Sequence, residues 1–312
     1  MTGSVSVVIP VHNEKDSLDE LVQRLSAVLK TTGLAWEVII VDDGSTDGSP
    51  DLLRQLMLDQ PRLKVFTAKC RRGQTSALRA GLRQARGDIV VTMDGDLQNP
   101  PEEIPRLLAV LEGGADVAAG WRKDRKDTWL TRRLPSMVAN AWIRSITGIP
   151  VHDHGCSLRA YRRQLIQRLD IYSDHHRLLP ILCAVHGARV REVAVQHAGR
   201  GAGQTKYGGS RVFRVLLDVM AVHFVLRYRW QPAEWFGRLA FLLALGSVIA
   251  LAAGIAAASG GRVPPVILFG SAFILGAGSA GLAGMGVFAQ LLVQWQPSRL
   301  RMQNIPLRTE SS

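Results

Sequence analysis

The 312-residue sequence contains only three cysteines, Cys70, Cys156 and Cys183. They are widely spaced and form no CxxC pair, which argues against a disulfide framework and against a structural zinc site. Such sparse cysteine use suits a reducing compartment. The N-terminus also lacks a basic region followed by a long apolar run, so we expect no signal peptide there.

Acidic residues are the minority among the charged residues. The chain has 38 Lys and Arg against 26 Asp and Glu, which gives a formal net charge of +12. Such an excess favours anionic partners, namely nucleic acid, anionic lipid or phosphorylated substrates. The basic residues come without an RNA-binding signature, so we expect no nucleic-acid partner.

Charge is absent from most of the C-terminal third. Residues 239–261 and 263–298 contain no charged side chain, and only Arg262 separates them. Each stretch exceeds the roughly 20 apolar residues that cross a bilayer as a helix. We predict a hairpin of two transmembrane helices in 235–298, at about 236–258 and 264–290, with buried core helices as the alternative. Arginines flank the hairpin on its open side, so the positive-inside rule places both the N-terminal domain and the 299–312 tail in the cytoplasm.

Strand and helix patterns alternate through the first 120 residues. Short apolar runs predict strands at 5–10, 37–41, 63–67, 88–93 and 115–119. Helical spacing predicts helices at 17–29, 47–57, 75–85 and 101–111. This order indicates an α/β domain over 1–208, with a mostly parallel sheet and helices on both faces.

The remaining segments have less regular patterns. We predict that 134–170 is mostly helical and that 174–200 contains a helix followed by a strand. Residues 209–234 carry apolar and basic positions at helical spacing. They predict either a juxtamembrane amphipathic helix at the lipid interface or an ordinary surface helix.

Polar motifs follow three of the predicted strands. They read VVIPVHNE at 7–14, VDDGSTD at 41–47 and MDGDLQNPPE at 93–102. Ligands of such sheets bind at the carboxyl ends of the strands, so the three motifs should share one edge. Two carboxylates one residue apart, Asp94 and Asp96, can face one divalent cation, and hard oxygen ligands suit Mg²⁺ or Mn²⁺. A DxD turn alone is a weak signal, and it gains weight from the two motifs beside it.

Taken together, these motifs resemble the family 2 glycosyltransferases, which have the GT-A nucleotide-sugar fold. Further segments resemble the branch that acts on polyprenyl phosphates, which includes dolichol-phosphate mannosyltransferase. These segments are GWRKDRKD at 120–127, RRLPS at 132–136, DHGCSLRAYRR at 153–163, HAGR at 197–200 and GQTKY at 203–207. Within that branch the chain looks closest to the bacterial undecaprenyl-phosphate aminoarabinose and glucosyl transferases.

The resemblance implies roles for individual residues. The nucleotide-sugar site would comprise Pro10, Glu14, Asp42, Asp43, Asp94 and Lys206. The metal site would comprise Asp94, Asp96 and Gln98, and the acceptor phosphate would be bound by Arg122, Arg132 and Ser136. Arg200 would reach the leaving diphosphate and would be catalytic together with Asp94 and Asp96. Other readings remain: the DDGSTD turn also suits a helix cap, and the charged segment also suits a solvated surface.

The implied activity is an inverting transfer of a sugar from a nucleotide-sugar, with UDP favoured over GDP, to undecaprenyl phosphate. The enzyme would need Mg²⁺ or Mn²⁺ and would lie in the cell inner membrane, with homo-oligomerisation left open. One alternative is a processive polysaccharide synthase, but the QxxRW motif of that class is incomplete here, since Leu226 stands where the Gln would be expected and only two spans follow. Another alternative is a non-catalytic membrane scaffold of the same fold.

Overall fold

The structure is a computed structural model that describes residues 3–123, 149, 151–169, 171, 175–197, 228, 231–260 and 264–295. The chain divides into two compact units, Met1–Val219 and Met220–Ser312. Four residues predicted to bind ligands lie outside the described residues: Arg132, Ser136, Arg200 and Lys206. The helix predicted at 209–234 lies largely outside them, and the 299–312 tail lies wholly outside.

The first unit is built on one seven-stranded sheet. Its strands are β1 Ser4–Val11, β2 Ala35–Asp42, β3 Leu63–Thr67, β4 Ile89–Thr92, β5 Val117–Trp121, β6 Arg159–Arg162 and β7 Val190–Ala194. The order across the sheet is β3-β2-β1-β4-β6-β5-β7. β6 runs antiparallel to both of its neighbours, and the other pairings are parallel. The predicted α/β class with a mostly parallel sheet is confirmed.

Six α-helices accompany the sheet in the described part of this unit. They are α1 Lys15–Thr31, α2 Ser49–Asp59, α3 Gln74–Gln84, α4 Ile104–Glu112, α5 Arg163–Ile166 and α6 Leu179–Val185. Short 3₁₀ turns at Pro101–Glu103 and His175–Arg177 precede α4 and α6. The predicted helix and strand within 174–200 are confirmed by α6 and β7.

Alternating side chains of the strands build a core on each face of the sheet. In β1, Val7 and Ile9 join one buried cluster with apolar residues of α1, α2 and α4. Val8 between them faces a second cluster, which includes Leu78 of α3 and Leu179 of α6. Because successive strand side chains point to opposite faces, strands covered on both sides read as continuous apolar runs.

One prediction for this unit is wrong. Arg159–Arg162 does not continue a helical stretch but forms β6, which is inserted antiparallel between β4 and β5. The side chain of Arg159 is buried. Its guanidinium donates to the backbone carbonyls of His154, His176 and Arg177 at 2.8–3.1 Å. Those bonds satisfy a charge that would otherwise be costly to bury.

The second unit contains two long helices, α7 Pro232–Ala258 and α8 Pro265–Trp295. Both are long and apolar enough to cross a membrane, and most of their side chains are exposed. They pack through small residues: a Cβ added at Gly254 would lie 2.9 Å from the Phe269 ring. The Ser247 hydroxyl also donates to the Ala272 carbonyl at 2.7 Å. Close contact through small residues and interhelical hydrogen bonds is typical of membrane helix pairs.

Candidate active site

The three polar motifs meet at one edge of the sheet because β1, β2 and β4 are adjacent and parallel. Val11, the last residue of β1, is paired with Asp42, the last residue of β2. The β1–β4 pairing ends where Val8 meets Thr92, so the DGD turn follows directly on the same edge. Pro10 lies just beyond the last β4 pair.

The turns that follow β1 and β2 hold each other in place. Asn13 adopts a left-handed conformation (φ 56°), which asparagine tolerates better than most residues. Its backbone N–H donates to the Ser45 hydroxyl at 2.9 Å, and its side-chain oxygen accepts the Thr46 N–H at 2.8 Å. The His12 ring lies 3.0 Å from the Asp43 carbonyl oxygen. Asn13 is not among the predicted site residues, although asparagine is a residue type that favours turns and tolerates this conformation.

The two aspartates predicted to bind the nucleotide have different surroundings. The carboxylate of Asp42 is fully buried, and its Oδ1 accepts hydrogen bonds from the backbone N–H and the hydroxyl of Ser45. Its Oδ2 is buried with no hydrogen-bond partner among the described residues. A buried carboxylate oxygen without a partner is costly, so the unused acceptor capacity of this atom stands out.

The carboxylate of Asp43 is engaged by the backbone. Its Oδ1 accepts the Arg72 N–H at 2.7 Å, and its Oδ2 accepts the Gly73 N–H at 2.8 Å. The loop before α3 is therefore fastened to the end of β2. The backbone at Gly44 lies close to the backbone of that loop, since a Cβ added at Gly44 would lie 2.8 Å from the Arg71 backbone nitrogen. Asp43 thus holds this loop in place, in addition to the nucleotide-binding role predicted from sequence.

The DGD turn brings two carboxylates together. The pKa of Asp94 is raised by burial and, next in size, by the charge of Asp96. A hydrogen bond from Ser157 and the positive charges of Arg122 and Arg177 act in the opposite direction. Asp96 accepts the Gln98 N–H at 3.2 Å, and the intervening Leu97 has a left-handed backbone (φ 58°).

These residues fit a divalent cation. Two neighbouring carboxylates repel each other, and a cation held by both would offset that repulsion and the partial burial of Asp94. The described residues contain no cluster of three or more His, Cys, Asp or Glu side chains suited to a metal. An all-oxygen pair with few protein ligands suits Mg²⁺ or Mn²⁺, which complete their coordination with water and substrate phosphate oxygens.

Gly95 is packed too closely for a side chain. A Cβ there would lie 2.8 Å from Cγ1 of Val11. The hydroxyl of Ser17, in the first turn of α1, donates a hydrogen bond to the Gly95 carbonyl oxygen at 2.6 Å. This bond helps to hold the DGD turn in place. The start of α1, close after Glu14, is thus linked to the carboxylate pair.

We expect Gly95→Ala to destabilise the protein by about 1–3 kcal/mol, the usual range for overpacking, and to weaken Mn²⁺ binding by displacing the turn. Val11→Ala in the same chain removes the methyl group that the new Cβ meets, but it also removes buried apolar surface. We therefore expect the double variant to recover Mn²⁺ binding and to be destabilised by less than the sum of the two single changes. Thermal unfolding and Mn²⁺ titration of the two single variants and the double variant measure this coupling. Additive effects of the two changes would contradict it.

Arg122 and Asp153 form a buried ion pair close to Asp94. Nε of Arg122 lies 2.7 Å from Oδ2 of Asp153, and Nη2 lies 2.9 Å from Oδ1. The same carboxylate accepts the Gly155 N–H at 3.0 Å. Arg159, six positions further along the chain, bonds to backbone carbonyls instead.

A known protein family matches the part of the chain that contains these residues. The sequence model for Glycosyl transferase family 2 matches residues 6–170, the segment that contains all three strand-end motifs and the buried ion pair. The chain belongs to glycosyl transferase family 2. This enzyme is therefore a glycosyltransferase, and the predicted family is confirmed.

Curated relatives of this glycosyltransferase include several polyprenyl-phosphate sugar transferases. The dodecaprenyl-phosphate galacturonate synthase of Rhizobium johnstonii is 41% identical over 79% of this chain and 74% of its own. The undecaprenyl-phosphate 4-deoxy-4-formamido-L-arabinose transferase of Pseudomonas paraeruginosa is 42% identical over 69% of this chain. The match spans 64% of the length of that relative.

Solved structures share the fold of the glycosyltransferase. Glucosyl-3-phosphoglycerate synthase from Mycobacterium tuberculosis, in complex with phosphoglyceric acid, has a TM-score of 0.55 at 21% identity and covers 70% of this chain and 79% of its own. A mannosyltransferase from Pyrobaculum calidifontis, in complex with GDP-Man and Mn²⁺, has a TM-score of 0.53 at 22% identity. It covers 95% of this chain and 88% of its own. The predicted GT-A fold is confirmed.

Proposed function

We propose that this family 2 glycosyltransferase moves a sugar from a nucleotide-sugar to a polyprenyl phosphate at the cytoplasmic face of the inner membrane. The observation that carries the proposal is the shared edge of β1, β2 and β4. There lie the Asp94–Asp96 pair and the Oδ2 of Asp42, which has no hydrogen-bond partner among the described residues. The relatives named as polyprenyl-phosphate sugar transferases support the lipid acceptor. The helices α7 and α8 support a location in the membrane.

Each group at the edge has a part in binding the donor. The Oδ2 of Asp42 has unused acceptor capacity among the described residues and would accept a hydrogen bond from the base or ribose when the donor enters the site. Pro10, Glu14 and Asp43 would line the same nucleotide site. Asp94 and Asp96, with Gln98, would hold Mg²⁺ or Mn²⁺ against the diphosphate. The cation, when bound, would stabilise negative charge on the departing diphosphate.

The reaction would be a single displacement. The bond between the anomeric carbon and the diphosphate oxygen breaks, and its electron pair leaves with the diphosphate. An oxygen of the acceptor phosphate forms the new bond to the anomeric carbon, which inverts the configuration. That phosphate is already ionised at neutral pH, so the transfer needs no dedicated general base. Arg200 and Lys206 would add positive charge near the leaving diphosphate.

The acceptor phosphate would be held by Arg122, Arg132 and Ser136. The pairing with Asp153 engages Nε and Nη2 of Arg122 and fixes the direction of its guanidinium. A phosphate contact would then fall to Nη1. Guanidinium groups bind phosphate oxygens with defined geometry, so a fixed arginine would align the nucleophile with the anomeric carbon.

A substrate panel tests this function. Purified full-length protein would be given UDP- and GDP-linked sugars, undecaprenyl phosphate, and either Mn²⁺ or EDTA, and lipid-linked product would be measured. We expect transfer from one UDP-linked sugar, dependent on the metal and on the lipid phosphate. Transfer from a GDP-linked sugar would correct the donor, and metal-independent nucleotide binding with no transfer from any sugar would overturn the proposed function.

A further inference from the structure

We infer that Gln74 is a positioning residue for the metal-binding carboxylates, an inference that rests on the proposed function. Its side-chain Nε2 donates to Oδ1 of Asp94 at 2.8 Å. Gln74 is the first residue of α3 and stands outside the three strand-end motifs. It nevertheless reaches the central carboxylate of the proposed site.

The hydrogen bond has a direct consequence for the carboxylate. With Oδ1 engaged by a neutral amide, the rotation of the Asp94 side chain is restricted, so the amide helps to set how this carboxylate faces a cation. An amide donor orients the carboxylate without adding a positive charge that would repel Mg²⁺ or Mn²⁺. Outer residues that orient ligands in this way commonly change metal affinity about 10–100-fold when they are replaced.

The start of α3 is anchored well enough to give Gln74 a fixed position. Gly73, which has φ of 95°, directly precedes the helix, and its N–H is held by Asp43 at 2.8 Å. On the other side, the Thr75 hydroxyl lies 2.7 Å from the His176 ring nitrogen. Gln74 therefore projects from a backbone that is held by hydrogen bonds of both its neighbours.

This anchoring connects two parts of the site. Asp43 belongs to the pair predicted to bind the nucleotide, and Asp94 belongs to the pair predicted to bind the metal. The path from Asp43 through the Gly73 N–H to Gln74 is continuous in hydrogen bonds and covalent chain.

The replacement Gln74→Leu tests the inference, since it removes the donor and keeps a similar size. Gln84→Leu is a matched control, because it makes the same change at the exposed last residue of the same helix. The free Mn²⁺ remaining in titrations of the purified full-length proteins would be measured by electron paramagnetic resonance, with and without UDP. We expect Gln74→Leu to raise the Mn²⁺ dissociation constant at least about tenfold, and Gln84→Leu to leave it unchanged.

Kinetic measurements complete the test. For Gln74→Leu, the Mn²⁺ concentration needed for half-maximal rate should rise, while KM for the donor at saturating Mn²⁺ stays near that of the wild type. An unchanged Mn²⁺ affinity, or an effect confined to donor KM, would overturn the positioning role while leaving the proposed function standing. A wild-type protein that binds no Mn²⁺ with or without UDP would instead overturn both.

Discussion

Replacing Asp96 by Asn is expected to lower the rate of sugar transfer by at least about a hundredfold, the scale on which loss of one group stabilising developing charge is felt. Asn has the size of Asp and keeps a side-chain oxygen, so it can still accept the Gln98 N–H that holds the turn. The change therefore removes charge while preserving the local backbone. Weakened cation binding is the expected cause.

Protonation of the neighbouring Asp94 does not explain the expected loss of activity. The charge of Asp96 raises the pKa of Asp94, so its removal lets that pKa fall. Asp94 then ionises more readily in the variant than in the wild type at any given pH. A loss of activity in Asp96→Asn therefore cannot arise from protonation of Asp94.

The measurement compares lipid-linked product formed by Asp96→Asn with that formed by Asp59→Asn, an exposed residue at the end of α2. The control should retain wild-type rates. Both variants should reach the membrane and unfold at the wild-type temperature. Full activity in Asp96→Asn would refute the assignment of this carboxylate to the metal.

Much of the sheet could be predicted because its parallel strands are buried on both faces. β1, β2 and β4 read as apolar runs, and each ends at a polar motif, so their common edge followed from the rule for parallel sheets. The DGD turn had meaning only in that setting. The confirmed fold places two neighbouring motifs beside it.

β6 could not be predicted from local pattern. Its sequence, Arg159–Arg162, contains two arginines and no apolar run. It becomes a strand because β4 and β5 pair with it from both sides and because distant carbonyls accept hydrogen bonds from the Arg159 guanidinium. Such pairing depends on residues far away in the chain, which a local window does not contain.

The supporting contacts of the candidate site were likewise hidden in the sequence. Asp43 bonds to the backbone of residues 29 and 30 positions away, and Gln74 reaches a carboxylate 20 positions away. Backbone N–H groups carry no sequence signature, and Gln74 reads as an ordinary residue at a helix start. The motifs identify the acidic side chains, whereas only the folded chain shows what orients them.

The second large effect is expected on stability, from the buried pair of Arg122 and Asp153. Replacing Arg122 by Met leaves the Asp153 carboxylate buried without its bidentate partner. Removing one member of a buried ion pair costs about 3–5 kcal/mol. For a domain of this size the thermal unfolding temperature should fall on the order of 10 °C.

A compensating change separates stability from catalysis. Asp153→Asn added to Arg122→Met removes the unpaired charge and keeps an oxygen that can accept the Gly155 N–H. Asp153→Leu would leave the Gly155 N–H without this acceptor, so Asp153→Asn is the better change. We expect the double variant to recover most of the lost unfolding temperature, since neutral replacements of buried pairs are often tolerated.

The activity of this stabilised double variant then decides what Arg122 does. If the Arg122 guanidinium binds the acceptor phosphate, the double variant still lacks that group. The KM for undecaprenyl phosphate should then remain raised at least about tenfold, while the KM for the donor stays unchanged. If Arg122 serves only to neutralise Asp153, activity should return together with stability. Recovery of both would therefore refute the acceptor role, and recovery of stability alone would support it.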